Sequence, residues 1–239
     1  AGGRALAWAC PQCGARNDPA ARFCGGCGQA VTAPTAPEPR PGQSFQAETE
    51  RRQLTVLFCD LVDSTRLARQ LDPEDWRDMV RAYQQTGAAV IQRFDGYIAQ
   101  YLGDGLLVYF GYPQAHEDEA IRAVHAGIEV IAALRTSPFQ SRQLPHPLQV
   151  RIGIHTGVVV IGEIGSSEKR EMLALGETPN LAARIQGQAA PDEVVISVAT
   201  HRLVEGLFAC EDCGQPELKG VSTPLTLYRV VKEGDVIDV

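Results

Sequence analysis

Two apolar segments, LTVLFCD and YLGDGLLVYF, constrain the fold of this chain more than any other feature of its sequence. The first is a run of apolar and β-branched residues and predicts a buried strand within residues 51–61. The second has Gly-Asp-Gly at its centre and predicts two strands joined by a tight turn. Asp60 ends the first segment and Asp104 lies in the turn of the second. Two carboxylates delivered by two strands are suited to hold hard divalent cations, such as Mg²⁺ or Mn²⁺, against a polyphosphate.

The remainder of the main domain mixes helices and short strands without a regular alternation. Ser64 or Thr65 is the expected N-cap of a first helix, and Asp72-Pro73 predicts the start of a second. Apolar spacing indicates further helices over residues 116–136 and at GETPNLAARIQ, and VRIGIHTGVVVIGEIG is a bent strand or a strand pair. Because strict strand–helix–strand repetition is missing, we predict an α+β fold with a mainly antiparallel sheet.

Charge and hydropathy limit the expected partners. The 239 residues carry a formal net charge of −7, with a pI of about 5.3, which disfavours broad binding to nucleic acids or anionic membranes. Apolar runs stay well short of the roughly 18 residues of a membrane span, and the N-terminus lacks the apolar segment of a secretion signal. We therefore expect no membrane partner and a location in the cytoplasm.

A cysteine cluster marks the N-terminal segment. Four of the seven cysteines follow the spacing C-x2-C-x10-C-x2-C, namely Cys10, Cys13, Cys24 and Cys27. Without a secretion signal, this spacing predicts a zinc site rather than disulfide bonds. Gly14 and Gly28 follow the second cysteine of each pair and let the backbone turn around the metal. Four thiolates close a tetrahedral site, so we expect one structural Zn²⁺ in a small interaction module.

The sequence divides into four parts. Residues 1–30 form the expected zinc ribbon, residues 31–50 a linker with four prolines, residues 51–232 the main domain and residues 233–239 a C-terminal tail. The ribbon has few basic residues, so protein partners are favoured over nucleic acid.

Five segments of the main domain resemble, in order, the catalytic domains of the class III nucleotidyl cyclases, the adenylyl and guanylyl cyclases. They are LTVLFCDLVDST, YLGDGLLVYFG, VRIGIHTGVVVIGEIG, LGETPNLAARIQ and LKGVSTPLTLYRV, within residues 51–232. The resemblance implies a ferredoxin-like α/β sandwich that works as a head-to-tail homodimer with composite active sites. Bacterial relatives that carry a zinc ribbon often continue into further domains, so we expect this chain to be a fragment of a longer protein.

The resemblance also implies the reaction, in which the ribose 3′-oxygen of ATP, or of GTP, attacks the α-phosphate and pyrophosphate leaves. Asp60 and Asp104 match the family's ligands for two Mg²⁺ or Mn²⁺ ions, together with the backbone of Leu61. The implied nucleotide-binding residues in the two turns are Val62, Asp63, Ser64, Thr65 and Gly103.

The remaining implied site residues come from the second half of the chain. Asn180 and Arg184 match the pair that steadies the ribose and the transition state, and their spacing places both on one helix face. Arg184 would offer a fixed fork of donors to the charge that builds on the α-phosphate. Arg151 and Lys219 match positions that hold the phosphate tail, with surface ion pairs as the alternative for both.

Three positions depart from the family's pattern. The two purine-reading positions are Gln100 and Leu173, and leucine has no group that hydrogen-bonds a base. Asp63 stands where many members have glycine. Three alternatives to an ordinary adenylyl cyclase stay open: a guanylyl or relaxed-specificity cyclase, a weakly active nucleotide-sensing module, and a zinc-ribbon adaptor.

Two remaining features are expected to be structural. His155 is interpreted as a hydrogen-bonded strand residue rather than a catalytic base, because metal activation makes a base unnecessary. Cys210 and Cys213 form an isolated C-x-x-C pair, which is too few ligands for a zinc site.

Overall fold

The structure is a computed structural model that describes residues 8–10, 12–17, 26–27, 50–136, 147–166 and 169–233. The chain separates into two compact units, Ala1–Gln46 and Ala47–Val239. Cys24, Gly28 and residues 137–146 lie outside the described residues, as do all but the last residue of the expected linker (31–50) and all but the first residue of the expected tail (233–239). None of the described helices is long and apolar enough to cross a membrane.

The described part of the first unit is a small antiparallel hairpin. β1 (Trp8–Ala9) pairs with β2 (Arg16–Asn17), and Cys10 and Cys13 lie in the connection. Gly14 has a φ of 71°, which glycine adopts without steric cost, and its amide donates to the Cys10 carbonyl at 2.8 Å. The chain therefore turns at the glycine that follows the first cysteine pair.

An eight-stranded sheet forms the centre of the second unit. Seven strands follow the order β4-β5-β3-β6-β8-β10-β9, and β7 pairs with β6. The strands are β3 (Glu50–Leu61), β4 (Tyr97–Leu102), β5 (Gly105–Phe110), β6 (Val150–Ser166), β7 (Lys169–Leu175), β8 (Glu193–Ser197), β9 (Phe208–Asp212) and β10 (Leu227–Glu233). Among the described strand pairs only β6–β8 is parallel, so the predicted α+β class with a mainly antiparallel sheet is confirmed.

The described helices are α1 (Ser64–Gln70), α2 (Pro73–Arg93), α3 (Glu119–Arg135), α4 (Glu177–Gln186) and α5 (Val198–Val204). α2 begins directly after Asp72, with proline and two acids in its first turn, as the sequence predicts. α3 buries a continuous stripe of small and branched apolar residues, which gives it the amphipathic spacing seen in the sequence.

The pleat of β3 separates the two faces of the sheet. Leu57 and Cys59 join the core that contains α2 and α3, on what we call the back face. The alternate residues Val56 and Phe58 belong to the second core, which contains Ala182 of α4, on what we call the front face. Asp60 continues this second series, so its side chain lies on the front face at the carboxyl end of β3.

Two glycines of β6 let α4 approach the front face closely. A Cβ on Gly153 would lie 2.2 Å from the backbone of α4, and one on Gly157 would lie 2.6 Å from Thr178 Oγ1. The Thr178 hydroxyl donates to the carbonyl of Val158 at 3.0 Å. These contacts fix the position of the helix that was expected to carry two catalytic residues.

Three details differ from the expectations. α1 is capped by Asp63, with a φ of 55°, rather than by Ser64 or Thr65, because the turn that leaves β3 passes through the left-handed region. β3 begins at Glu50, because its first residues extend the pairing with β6 as far as Ile161. β7 was not predicted, because the charged residues in KREMLAL obscure a strand that pairs along only one described edge.

Candidate active site

Asp60 and Asp104 meet at the end of the β3–β5 strand pair. Asp60 is paired with Gly105, so the turn that carries Asp104 folds beside it. A Cβ on Gly105 would lie 3.4 Å from Asp60 Oδ1, so the glycine leaves room for this carboxylate. Burial, followed by the charge and hydrogen bond of Asp104, raises the pKa of Asp60 to about 6, although the Leu61 amide and Arg151 oppose this rise.

This carboxylate pair fits divalent cations. Two acids in hydrogen-bonding contact repel each other when both are ionised, and a cation between them removes that repulsion. Carboxylate oxygens are also the ligands that Mg²⁺ and Mn²⁺ prefer. Leu61, whose backbone was expected to complete the set, follows Asp60 directly and lines the same pocket.

A pocket of about 620 Å³ opens beside Asp60. Its wall consists of Asp60, Leu61, Asp63, Ser64, Thr65, Arg66, Arg69, Gln70 and Arg151. Six of these were predicted as site residues, and Arg66, Arg69 and Gln70 of α1 were not. Their signal in the sequence is weak, because two arginines three residues apart on a short helix are usual on a solvated face. Three arginines in one wall suit an anionic ligand.

The Asp63 carboxylate pairs with a cation on α1. Its Oδ2 lies 3.2 Å from Arg66 Nη2, and the two side chains are 57% and 58% exposed. The backbone at Asp63 has φ 55° and ψ 25°, a conformation that glycine adopts more readily than other residues. The acid is therefore accommodated by a local ion pair, at a position where the backbone itself favours glycine.

Arg151 faces Asp60 across the β3–β6 pair. Its charge acts to lower the pKa of Asp60, although burial and Asp104 outweigh it. Its Nε is buried and has no hydrogen-bond partner among the described residues. An unpaired guanidinium donor at the wall of the pocket is suited to a phosphate oxygen.

A second cluster of predicted residues lies on and near α4. Asn180 is exposed, and Arg184 is half-buried with its Nη2 3.4 Å from the point where a Cβ on Gly220 would lie. Lys219 precedes this glycine and is exposed. As far as the residues are described, none of the three predicted side chains lines the pocket beside Asp60. The structure therefore leaves these three residues apart from the pocket beside Asp60.

The two purine-reading positions lie on different strands. Gln100 is opposite Leu107 in the β4–β5 pair, which places it on the front face, two residue positions along the sheet from the level of Asp60. A register irregularity between Ile98 and Gln100 precedes it. Leu173 lies on β7 opposite Gly162, and its side chain is outside the described part of the structure.

The two residue sets expected to be structural have different surroundings. His155 is buried, its Nδ1 lies 2.8 Å from Ser197 Oγ, and burial lowers its pKa to about 4. It is thus a hydrogen-bonded strand residue, as the sequence analysis predicted. Burial raises the pKa of the Cys210 thiol, whereas Cys213 is exposed.

Three cysteines of the first unit form a cluster. The Sγ atoms of Cys10, Cys13 and Cys27 all lie within 4.8 Å of one another, and those of Cys10 and Cys27 are 3.7 Å apart. Zn–S bonds of about 2.3 Å in a tetrahedron place the sulfur atoms about 3.8 Å apart, so the described thiols fit zinc. The fourth expected ligand, Cys24, lies outside the described residues.

Comparison with known proteins identifies the family of the second unit. The family model described as "Adenylate and Guanylate cyclase catalytic domain" matches residues 46–232, and a model for a domain of unknown function matches residues 6–31. Adenylate cyclase 1 of Rhizobium meliloti (strain 1021) is 30% identical over 186 residues, which are 76% of this chain and 28% of that protein. The chain spans between 16% and 28% of the lengths of the curated relatives compared.

Two solved structures of cyclases have folds similar to that of this chain. The adenylyl cyclase CyaB from P. aeruginosa superposes with a TM-score of 0.74 at 30% identity, over 77% of this chain and 96% of that one. The guanylyl cyclase Cya2 superposes with a TM-score of 0.75 at 32% identity, over 80% and 98%. The family model covers residues 46–232, which is most of the sequence. The chain belongs to the adenylate and guanylate cyclase catalytic domain family.

Proposed function

We propose that this protein is a purine nucleotide cyclase that converts ATP to cyclic AMP and pyrophosphate. The observation that carries the proposal is the Asp60–Asp104 carboxylate pair beside a pocket whose wall also holds Arg151. In the reaction the ribose 3′-oxygen loses its proton and bonds to the α-phosphorus, while the bond from that phosphorus to the bridging oxygen breaks. The relative named adenylate cyclase supports ATP, and the guanylyl cyclase structure of similar identity makes GTP the competing substrate.

Asp60, Asp104 and the backbone of Leu61 would hold two Mg²⁺ or Mn²⁺ ions. Bound there, the ions would supply charge for the triphosphate and lower the pKa of the 3′-hydroxyl. The turn Val62-Asp63-Ser64-Thr65 and Gly103 would offer backbone amides to phosphate oxygens, and Arg151 an unpaired guanidinium donor. Carboxylates, amides and one arginine then account for binding and orientation of the triphosphate.

Asn180, Arg184 and Lys219 would complete the site from a second copy of the chain. The absence of these side chains from the described wall of the pocket supports a composite site in a homodimer. Asn180 would orient the ribose, Arg184 would stabilise the charge on the α-phosphate, and Lys219 would hold the phosphate tail.

A complementation experiment tests the composite site directly. Asp104→Asn and Arg184→Ala should each abolish turnover alone. Mixed and allowed to exchange, the two variants should recover about a quarter of wild-type activity, since half the dimers are mixed and each mixed dimer has one intact site. Two inactive variants that stay inactive after proven exchange would refute the shared site.

Gln100 and Leu173 are the proposed purine-reading positions, and they motivate a second candidate function, nucleotide sensing with little turnover. Gln100 shares the front face with Asp60, whereas leucine at position 173 offers no hydrogen bond to a base. Turnover of ATP and GTP, each with Mg²⁺ and with Mn²⁺, separates the candidates. Cyclic nucleotide that disappears in Asp60→Asn supports the cyclase, and tight nucleotide binding without product supports the sensor.

We further propose that residues 1–30 form a zinc ribbon, residues 31–50 a linker and residues 51–232 the cyclase domain, with a tail at residues 233–239. The sulfur cluster supports the metal, and the two family matches support the division. One Zn²⁺ per chain, lost on Cys10→Ser, is the expected result of metal analysis. Four cysteines at the spacing of a zinc site, rather than of a disulfide framework, also support a cytoplasmic location.

A further inference from the structure

Helix α2 contacts the backbone next to both of the paired carboxylates. The Tyr83 hydroxyl lies 3.3 Å from Cys59 Sγ and 3.5 Å from the Cys59 carbonyl oxygen, directly before Asp60. Gln84, the next residue of the helix, donates its side-chain amide to the Gly103 carbonyl at 2.8 Å, directly before Asp104. Consecutive residues of one helix thus hold the neighbours of both acids.

Close packing keeps the helix at a fixed distance from these strands. Gly87 lies one turn after Tyr83, and a Cβ there would lie 2.9 Å from Leu106 Cδ1. Leu106 is opposite Cys59 in the β3–β5 pair. The helix therefore packs against the back of the two strands just where they present Asp60 on the opposite face.

The turn that carries Asp104 has little stiffness of its own. Glycines flank the acid on both sides, and Gly103 has a φ of 66°. Glycine gives such a turn more conformational freedom than any other residue. Tyr101 and Leu102 before the turn are exposed, so packing does not hold it from that side. The Gln84 hydrogen bond is the described contact that ties this turn to the helix.

We propose that α2 sets the separation of the two metal-binding carboxylates, with Gln84 as the positioning residue for Asp104 and Tyr83 as that for Asp60. The proposal rests on the proposed metal role of the two acids. Neither side chain touches substrate or metal; each acts by fixing the backbone next to a ligand. Loss of the Gln84 donor should leave the fold intact and spread the positions that Asp104 samples.

The test compares Gln84→Met with Gln85→Met. Gln85 is the adjacent residue of the same type and is exposed, so the pair matches in chemistry and helix propensity. The readout is binding of Mn²⁺ alone, measured from the free-ion signal in electron paramagnetic resonance, beside thermal unfolding. Gln84→Met should raise the apparent Kd for Mn²⁺ about three- to tenfold, the size expected for one lost hydrogen bond. Gln85→Met should match the wild type.

Two further variants make the outcome decisive. Asp104→Asn should lose most Mn²⁺ binding, and if it binds as well as the wild type, the proposed metal site fails rather than the role of Gln84. If Asp104→Asn loses binding while Gln84→Met binds like Gln85→Met, the positioning role is refuted. Tyr83→Phe, which keeps the ring, should weaken Mn²⁺ binding about twofold, since its contact to sulfur is weaker.

A second measurement covers a Gln84 variant that loses stability. Hydrogen exchange of the amides at residues 103–105 should be faster in Gln84→Met than in Gln85→Met, with exchange in α2 unchanged. Equal exchange in that turn would overturn the proposal, whatever the two melting temperatures are.

Discussion

Removal of Arg66 should impair nucleotide binding only while residue 63 is an acid. Asp63 lies in the pocket wall at a backbone conformation that favours glycine, and its charge is balanced by Arg66 at 3.2 Å. Arg66→Ala leaves that charge unbalanced beside the proposed triphosphate. In an Asp63→Gly background the same change leaves nothing unbalanced. The two substitutions should therefore be strongly non-additive.

The magnitude follows from the exposure of the pair. Both side chains are more than half exposed, and ion pairs of that kind contribute at most about 1 kcal/mol. A coupling of about 0.5–1 kcal/mol corresponds to a two- to fivefold rise in the KM for ATP in Arg66→Ala. Salt should erase the effect, because at about 0.5 M the screening length falls below 5 Å. Asp63→Gly alone should change stability little, since relief of backbone strain and the larger entropy of unfolded glycine oppose each other.

Initial rates against ATP concentration give a KM for the wild type, Arg66→Ala, Asp63→Gly and the double variant. These four values form a double-mutant cycle, which is measured at low and at high salt. Equilibrium titration with a fluorescent ATP analogue replaces them if turnover is too slow. If Arg66 contacts phosphate itself, Arg66→Ala will cost the same in both backgrounds. That result would refute the charge-balancing role.

Three further predictions concern the folded domain. His155→Gln should remove a pH dependence of the free energy of unfolding. The pKa of His155 is about 4 in the folded protein and 6.5 in the unfolded chain, so the stabilisation present above pH 6.5 is lost as the pH falls to 4. The loss in the wild type should be about 3 kcal/mol, measured by urea unfolding. Gly153→Ala should lower the free energy of unfolding by about 3 kcal/mol or more and displace α4, because its Cβ would lie 2.2 Å from the backbone of that helix. The control Gly187→Ala, whose Cβ would have its nearest contact at 3.4 Å, should melt near the wild-type temperature. Cys59 should resist iodoacetamide in the native protein while the exposed Cys213 reacts, because burial raises the pKa of the Cys59 thiol to about 12. Mass spectrometry follows the modification of each cysteine, and equal rates for the two would contradict this prediction.

The sequence predicts the local structure around Asp60 and Asp104 because the signals for it are local. A strand of period two fixes which face Asp60 occupies, and the glycines around Asp104 mark the turn of the β4–β5 hairpin. The pairing of β5 with β3 then brings this turn beside Asp60. Asp72 and Pro73 fix the start of α2 in the same way. The strand, the turn and the helix start each need only residues within a few positions of one another, whereas the joint role of the two acids was implied by the family resemblance.

Expectations failed where a distant contact decides the local structure. Ser64 and Thr65 are good N-caps by type, yet Asp63 takes the position because β3 must turn sharply to release α1. β7 forms because the long β6 offers it an edge, which its own charged residues do not reveal. Gln84 reads as an ordinary helix residue until the fold places the Gly103 carbonyl within 2.8 Å.

The separation of the residues on and near α4 from the pocket beside Asp60 has the same origin on a larger scale. The close approach of α4 to Gly153 and the contact between Arg184 and Gly220 leave that helix firmly attached to its own sheet. Moving it by the distance needed to line the pocket beside Asp60 would break packing that costs several kcal/mol to disrupt. In the proposed homodimer, rigid docking of a second copy would bring these groups to the pocket without such a cost. A cyclase of that kind would be switched by whatever controls the pairing of two chains, while each chain keeps its own fold.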